Sequence, residues 1–374
     1  MSKIQTAKRL SNFREYVFSK LGKKVKEIEL TSGRKVLNFG PGNPDFPPSN
    51  LYLDKFYEFI KDHNAHLYPG FGANEQFSKA LTAWYKKRFE VNLRGDELFP
   101  LLGAKDGVSH LPLALVDEGD EVLTPDPGYP AYTDPVLMVG GKVVYYNLLE
   151  ENEFKISDKT KFIWVNFPSN PTGSVATLDE LKKIVVFAKK HNVLIVYDNA
   201  YSEITFDNFV APSILQIDGS KDVAVELGSF SKTFSFAGFR MGWIVGNSEI
   251  IAALSKVKSQ MDSGLSAHLQ NLGAFALNNF DTKWHQEMIA SYKQRRQIIG
   301  KHLKKLGLNF TLPKGGLYIW AKIPSSAKNS EEYCMQMLEE KQILFTPGSA
   351  FGKNGDRYVR VSISINIDNI DKYF

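Results

Sequence analysis

The sequence of 374 residues predicts an α/β fold: a large domain with a mostly parallel sheet flanked by helices, and a smaller α+β domain built from both termini. The middle of the chain alternates short apolar runs with helical patterns, as parallel sheets with crossover helices do. From residue 276 onward the pattern changes to a long polar helix, then GGLYIWAKI, a further helix and RYVRVSISI. We therefore expect a large domain over residues 46–275 and a small domain over residues 276–374. Residues 1–45 contain no element that could fold alone, so we expect an arm that packs with the small domain.

One βαβ unit is well marked. Residues 162–167 (FIWVNF) have the character of a buried strand and end in the turn-forming string SNPTG. Thr177 and Glu180 fit a capping box, and residues 178–190 place their apolar side chains on one helical face. Residues 193–197 (VLIVY) form the next expected strand.

The remaining elements follow the same patterns. Further strands are expected at residues 121–124, 142–146 and 223–227. Further helices are expected at residues 104–116, 249–261, 282–306 and near 330–340.

Composition excludes several classes of protein. Lys and Arg total 46 and Asp and Glu total 41, and this net charge of +5 is spread along the chain. A nucleic-acid or membrane partner would need a concentrated basic patch, so neither is expected. The single cysteine, Cys334, excludes an internal disulfide, and the seven histidines show no metal-ligand spacing, so no metal is expected.

The sequence also bears on location. No run approaches the length of a membrane span, and the N-terminus lacks the apolar stretch of a secretory signal. We therefore expect a cytoplasmic protein, while the basic N-terminus leaves a transit peptide open as the alternative.

Chemistry is expected beyond the carboxyl ends of the strands, where open parallel sheets bind their ligands. Five strand ends deliver an anion-binding loop, an aromatic ring, an amide, an acid with a phenol, and a serine-rich lysine loop. The candidate residues at these ends are Ala104, Lys105, Tyr129, Asn170, Asp198, Tyr201, Ser229, Ser231, Lys232 and Arg240.

Some of these residues suit a phosphate. Ala104 and Lys105 open a helix, whose first N–H groups and dipole attract anions. Arg240 could clamp the same phosphate with two hydrogen bonds, and Ser229 and Ser231 could add hydroxyl donors. Taken singly, each residue also fits an ordinary turn or a surface position.

The others suit an aromatic ring with polar substituents. Asp198 directly after an apolar strand requires a cationic partner, either a salt bridge or a protonated pyridine nitrogen. Asn170 and Tyr201 could donate to a phenolate oxygen, Tyr129 could stack on the ring, and Lys232 could form a Schiff base with an aldehyde. Pyridoxal 5′-phosphate carries the phosphate, ring nitrogen, phenolic oxygen and aldehyde that these residues jointly require.

At this point the sequence resembles the class I/II aminotransferases of the fold type I pyridoxal-phosphate enzymes. The resemblance covers nearly the whole chain in order, and it rests on the segments GPGNPDF, LYPGFGANEQFSKALTAWY, LLGAKDGVSHLPLALV, PDPGYPAY, NFPSNPTG, YDNAYSE, SFSKTFSFAGFRMGW and RYVRVSIS. The segment SFSKTFSFAGFRMG is the most specific. The stretch from LLGAKDG to PDPGYPAY is most similar to the branch of diaminopimelate, alanine and aspartate-type aminotransferases.

The resemblance implies a role for each residue around the ring. Lys232 would hold the cofactor as a Schiff base and later move a proton at the substrate. Asp198 would keep the pyridine nitrogen protonated, Asn170 and Tyr201 would bind the ring hydroxyl, and Tyr129 would stack on the ring.

It also implies the binding of phosphate and substrate. The phosphate would be held by four residues: Ala104, Lys105, Ser229 and Arg240. Tyr68 would reach the phosphate of a partner subunit, because family members form homodimers with shared sites. Arg360 would bind the substrate α-carboxylate, helped by the Gly42 backbone and Asn170.

The chain departs from the family pattern at three positions and in the length of its C-terminal segment. Ala73 and Ser78 occupy places that usually hold Gly and Arg, and Ala104 replaces a serine of the phosphate loop. Few residues follow Arg360, so we expect the final helix to be short or missing.

The expected activity is ping-pong transfer of an amino group from an L-amino acid to a 2-oxo acid, 2-oxoglutarate or pyruvate. A lyase or synthase on the same fold remains an alternative. A regulatory protein is disfavoured, because no chain is left before GPGNPDF for a DNA-binding module. A nicotinamide dehydrogenase is disfavoured, because GPGNPD and GFGANE both lack the last glycine of the dinucleotide-binding fingerprint. No arginine can be assigned to a second substrate carboxylate, so the amino donor stays open.

Overall fold

The computed structural model of the chain describes residues 5–12, 17–147 and 154–374. In these ranges the helices are α1 (Val17–Ser32), α2 (Asn50–Ile60), α3 (Glu75–Phe89), α4 (Ala104–Leu115), α5 (Asp134–Met138), α6 (Leu178–His191), α7 (Phe230–Thr233), α8 (Ser248–Lys258), α9 (Ala267–Asn278), α10 (Thr282–Lys305) and α11 (Ser330–Lys341). The strands are β1 (Leu37–Asn38), β2 (Leu98–Leu101), β3 (Glu121–Asp126), β4 (Lys142–Asn147), β5 (Thr160–Asn166), β6 (Leu194–Asp198), β7 (Ala224–Ser229), β8 (Gly242–Gly246), β9 (Tyr318–Lys322), β10 (Ile343–Leu344), β11 (Thr346–Pro347) and β12 (Tyr358–Ser362).

The predicted mostly parallel sheet is confirmed. Its seven strands follow the order β2-β8-β7-β6-β5-β3-β4, and β8 runs antiparallel to its neighbours β2 and β7. The strands β7, β6 and β5 lie side by side, so their carboxyl ends open on one edge of the sheet. The described residues form two smaller sheets besides, with orders β11-β12-β9 and β1-β10.

Side chains of β5 show how the sheet is covered on both faces. Phe162 and Trp164 belong to one buried apolar cluster, whereas Ile163 and Val165 belong to another. Because alternate side chains of a strand point to opposite faces, the two clusters lie on the two sides of the sheet. Such double burial is the reason that β5 has a continuous apolar sequence.

The predicted helices agree closely with α4, α6, α10 and α11. The capping box is present, since the Glu180 N–H donates to Thr177 Oγ1 and the Thr177 N–H donates to Glu180 Oε2. The predicted helix over residues 249–261 instead ends at Lys258. Beyond that point Asp262 Oδ1 accepts from the Gly264 N–H, and this local turn competes with helix.

Residues near the N-terminus contact the C-terminal part of the chain. β1 pairs in parallel with β10, and the Ser362 N–H donates to the Phe39 carbonyl. The Phe39 ring is fully buried against Phe345 and Phe374. After β12 the chain continues into a short 3-10 turn over Ile370–Tyr373, in agreement with the expected short final helix.

Membrane insertion by a helix has no support in the structure. Within the described ranges, every helix is too short or too polar to span a bilayer.

We predict that Phe39→Ala lowers the free energy of unfolding by about 3–5 kcal/mol, because it removes a buried ring that joins the N-terminal segment to β10 and the C-terminus. Urea unfolding followed by tryptophan fluorescence would measure the change. Leu30→Ala is the matched control, because Leu30 is 85% exposed. Equal unfolding midpoints for the two variants would contradict the prediction.

Candidate functional site

A cleft of about 370 Å³ lies at the carboxyl edge of the central sheet. The residues predicted from the sequence that line it are Gly42, Ala104, Lys105, Tyr129, Asn170, Asp198, Tyr201, Ser229, Ser231, Lys232, Arg240 and Arg360. Tyr68 lies outside the cleft of the described chain and is 88% exposed. The sheet therefore brings together side chains that are far apart in sequence.

Lys232 lies in α7, the single helical turn that follows β7. Its Nζ donates to the Gly42 carbonyl at 2.7 Å and lies 5.4 Å from the centre of the Tyr201 ring. Burial lowers the pKa of Lys232 to about 8, and the positive charges of Arg360 and Arg240 act in the same direction. A lysine with this pKa is neutral in roughly a tenth of the molecules at pH 7, far more than an ordinary lysine, and this fraction can act as a nucleophile and a base.

Asp198 is the last residue of β6 and is buried. Its Oδ2 accepts from the Tyr132 hydroxyl at 2.6 Å, and its Oδ1 accepts from the Ala200 N–H at 3.1 Å. Burial raises the pKa of Asp198, and these two hydrogen bonds oppose that rise. Tyr132 itself is held by stacking on Trp164, with ring centres 4.7 Å apart.

Sequence reasoning missed Tyr132 and Tyr318. The signal for Tyr132 was its place in PDPGYPAY, just after the carboxyl end of β3 and three residues beyond Tyr129. Tyr318 opens β9, and its hydroxyl lies 3.2 Å from the Tyr201 hydroxyl. A Cβ on Gly42 would fall 1.8 Å from the Tyr318 hydroxyl oxygen, so this position has room only for glycine.

Arg360 projects into the cleft from β12. Its Nη1 donates to Asn170 Oδ1 at 3.0 Å, and its Nη2 donates to the Gly40 carbonyl at 2.7 Å. Its guanidinium lies 4.2 Å from the centre of the Tyr318 ring and 4.7 Å from that of Phe351. These contacts hold a buried cation beside Lys232 in one orientation.

The start of α4 forms one end of the cleft. Gly103 occupies the N-cap with φ +86° and offers no side chain to cap the N–H groups of Ala104 and Lys105. The Arg240 guanidinium lies so close to Gly103 that a Cβ there would be 2.6 Å from Nη2. Arg240 has φ +56°, a left-handed conformation that costs free energy and is typical of functional positions.

Two serines lie next to this end of the cleft. Ser229 ends β7 and Ser231 lies in α7, and Ser229 Oγ accepts from the Ser231 N–H at 3.2 Å. Both are buried cleft residues, so their hydroxyl groups add polar character beside Lys232.

The similarity to known proteins extends over almost the whole chain. Residues 34–373 match the family model described as aminotransferase class I and II. A protein of Halothermothrix orenii named LL-diaminopimelate aminotransferase is 36% identical over 377 residues, covering 98% of this chain and 96% of that protein. A protein of the same name from Aquifex aeolicus is 37% identical over 372 residues, covering 97% and 95%. The solved structure of apo-BacF from Bacillus subtilis is similar with a TM-score of 0.92 and 32% identity, covering 99% of this chain and 96% of that one.

The electrostatic origin of the Lys232 pKa gives a prediction. Arg360→Met removes a positive charge that lowers this pKa, so the pKa of Lys232 should rise. The measurement is the pH dependence of Lys232 labelling by a limiting amount of an amine-specific reagent, followed by peptide mapping of ligand-free protein. We expect half-maximal labelling near pH 8 in the parent and at higher pH in the variant.

Lys322→Met is the control for this experiment, because Lys322 is an exposed cation on the neighbouring strand β9. It should leave the labelling profile unchanged. A profile that is the same in Arg360→Met and in the parent would refute the electrostatic explanation.

Proposed function

This chain belongs to the class I and II aminotransferases, and on that premise we propose that the cleft around Lys232 is its active site. As a member of the family it uses pyridoxal phosphate and moves an amino group from an amino acid to a 2-oxo acid. The observation that carries the assignment of the site is the position of the Lys232 amine, which lies in the same cleft as Asp198, Arg240 and Arg360 and donates to the Gly42 carbonyl; burial and the two arginines lower its pKa.

The charge of the cleft fits a phosphorylated cofactor. Its described lining holds four basic side chains, Lys105, Lys232, Arg240 and Arg360, and one carboxylate, Asp198. A dianionic phosphate at the start of α4 would bring negative charge to Arg240 and to the uncapped N–H groups. We assign the phosphate to Ala104, Lys105 and Arg240, with hydroxyl donors from Ser229 and Ser231.

The other end of the cofactor fits the remaining residues. In the described chain Asp198 accepts hydrogen bonds from two neutral groups, so a positively charged ring nitrogen would give this buried carboxylate its counter-ion. We assign the ring hydroxyl to Asn170 and Tyr201 and the ring face to Tyr129. When bound, pyridoxal phosphate supplies an aldehyde for the amine and a ring that accepts electrons from the substrate α-carbon.

The protein's own residues then have distinct tasks. Lys232 Nζ takes the proton that leaves the α-carbon and returns it, because a pKa near 8 keeps both protonation states populated near neutral pH. Arg360 binds the α-carboxylate, because Asn170 Oδ1 and the Gly40 carbonyl already hold its guanidinium in the cleft. The hydroxyl of Tyr318 positions Tyr201 through the contact between the two phenols.

The substrate proposal rests on the relatives. Two similar proteins are named LL-diaminopimelate aminotransferases, so we propose LL-diaminopimelate as the first amino donor to test, with 2-oxoglutarate and pyruvate as acceptors. A panel of other L-amino acids belongs in the same assay. Formation of pyridoxamine phosphate and the oxo acid in stoichiometric amounts distinguishes transfer from the lyase or synthase alternative.

Lys232→Arg should abolish turnover, because arginine keeps the positive charge but supplies no amine that can react or act as a base. We expect the rate to fall by roughly 10²–10⁴-fold or more for the best donor in the panel. Borohydride treatment with the cofactor, followed by peptide mapping, should tag Lys232 in the parent. Near-normal turnover by the variant, or an adduct on another lysine, would overturn the assignment.

We also propose a cytoplasmic homodimer in which Tyr68 reaches the cofactor phosphate of the other subunit. Tyr68 is strongly exposed, and Leu67 and Phe71 beside it expose apolar surface that a second copy would cover. Cell fractionation with an antibody against the chain tests the location.

Mixing two defective variants tests the shared site. Dimers that combine Lys232→Ala with Tyr68→Ala contain one site with both intact residues. After denaturation and refolding as a mixture, we expect about a quarter of parental activity, since half of the dimers are mixed and each has one complete site. Activity no higher than the mean of the separate variants would contradict sharing, and light scattering reports the dimer directly.

A further inference from the structure

A buried ionic cluster lies directly behind the start of α4, outside the cleft lining. We call Asp106, His110, Lys258 and Asp262 the Asp106 cluster. Lys258 Nζ lies 2.5 Å from Asp106 Oδ2 and 2.6 Å from Asp262 Oδ2, and its side chain is 3% exposed. A lysine buried to this degree is rare, so its position requires an explanation.

Asp106 ties this cluster to the phosphate loop. Its Oδ2 accepts from the Leu102 N–H at 2.8 Å, and its Oδ1 lies 2.7 Å from His110 Nδ1. Leu102 is the residue before the N-cap glycine, so the Asp106 carboxylate folds the turn that presents the N–H groups of Ala104 and Lys105. Burial raises the pKa of Asp106, but the contacts with His110 and Lys258 outweigh it and hold the pKa below its ordinary value.

This arrangement contains an electrostatic conflict. A carboxylate in the first turn stabilises the helix and shapes the loop. The same negative charge repels a phosphate bound at that helix start, and burial weakens the screening of this repulsion by water. Lys258 sets a positive charge against Asp106 from outside the cleft lining, which offsets this repulsion without occupying the phosphate position, while its second partner Asp262 is 20% exposed and screened by water.

We propose that Lys258 is a positioning residue for the cofactor phosphate: it neutralises Asp106, so that this carboxylate can shape the anion-binding turn without repelling the anion. This inference rests on the proposed function of the α4 start. It extends the phosphate site to α8, a helix that contributes no side chain to the cleft in the described chain.

The test measures equilibrium binding rather than turnover. Cofactor-free parent and variants are titrated with pyridoxal phosphate and, separately, with pyridoxal, which lacks the phosphate, and binding is followed by absorbance. For Lys258→Met we expect the Kd of pyridoxal phosphate to rise about tenfold and the Kd of pyridoxal to stay the same. Lys256→Met is the control on the same helix, because Lys256 is exposed, and it should change neither Kd.

A double-mutant cycle separates charge from structure. Asp106→Asn removes the repelling charge but keeps an oxygen that can accept from the Leu102 N–H, so it should not weaken binding of pyridoxal phosphate. In Asp106→Asn/Lys258→Met the Kd should return to within about threefold of the parent, because the carboxylate next to the anion-binding turn is gone and the remaining Asp262 is 20% exposed and therefore screened by water. If Lys258→Met alone fails to fold, the double variant still tests the proposal, because a Kd raised about tenfold in it would contradict the role of Lys258.

The outcomes are distinct. Three results would overturn the role of Lys258 and leave the phosphate site itself in place. In the first, Lys258→Met weakens the binding of both ligands equally, and in the second it weakens neither. In the third, Asp106→Asn weakens the binding of pyridoxal phosphate about tenfold. A double variant no better than Lys258→Met would overturn this role as well. A parent that binds pyridoxal phosphate no better than pyridoxal would overturn the phosphate site at α4 and, with it, this inference.

Discussion

The site depends on a concentration of positive charge that the protein holds in one cleft. Lys232 and Arg360 lie in the same cleft, although both side chains are positively charged and Arg360 is buried. Lys232 donates a hydrogen bond to the Gly42 carbonyl, and Arg360 donates one to the Gly40 carbonyl. These neutral acceptors orient the cations and add no negative charge of their own. The cleft therefore keeps its attraction for anions, and the pKa of Lys232 stays low.

The sheet makes this arrangement possible. Adjacent parallel strands bring the groups that follow β5, β6 and β7 to neighbouring places on one edge, so Asn170, Asp198 and Lys232 line the same cleft. Arg360 comes from a different sheet, and Tyr201 contacts Tyr318 from that sheet too. The site is thus assembled from the central sheet and from the sheet of β9, β11 and β12. The pairing of β1 with β10 places the Gly40–Gly42 segment between these two sheets.

The sequence predicts those features that one strand and its following loop decide. The fold class, the capping box at Thr177 and the placement of Asp198 and Lys232 at strand ends are of this kind, because a strand fixes the position of the residue after it. Tyr132 and Lys258 could not be predicted in the same way. Tyr132 meets Asp198 because β3, β5 and β6 are neighbours, and Lys258 meets Asp106 across 152 residues of sequence. Such contacts depend on how strands and helices pack together, so a local pattern such as PDPGYPAY can indicate a residue but not the partner that it meets.

Arg360 links binding to chemistry in this cleft. Its positive charge lowers the pKa of Lys232, which favours the neutral amine before any anion arrives. A carboxylate that pairs with Arg360 neutralises this charge, so the pKa of Lys232 must rise in proportion. On the proposed role of Arg360, the amine has its largest neutral fraction in the open cleft and becomes a stronger base when the substrate carboxylate binds. On the same proposal, a substitution at Arg360 changes both substrate affinity and the protonation of Lys232, because both depend on the charge of one guanidinium.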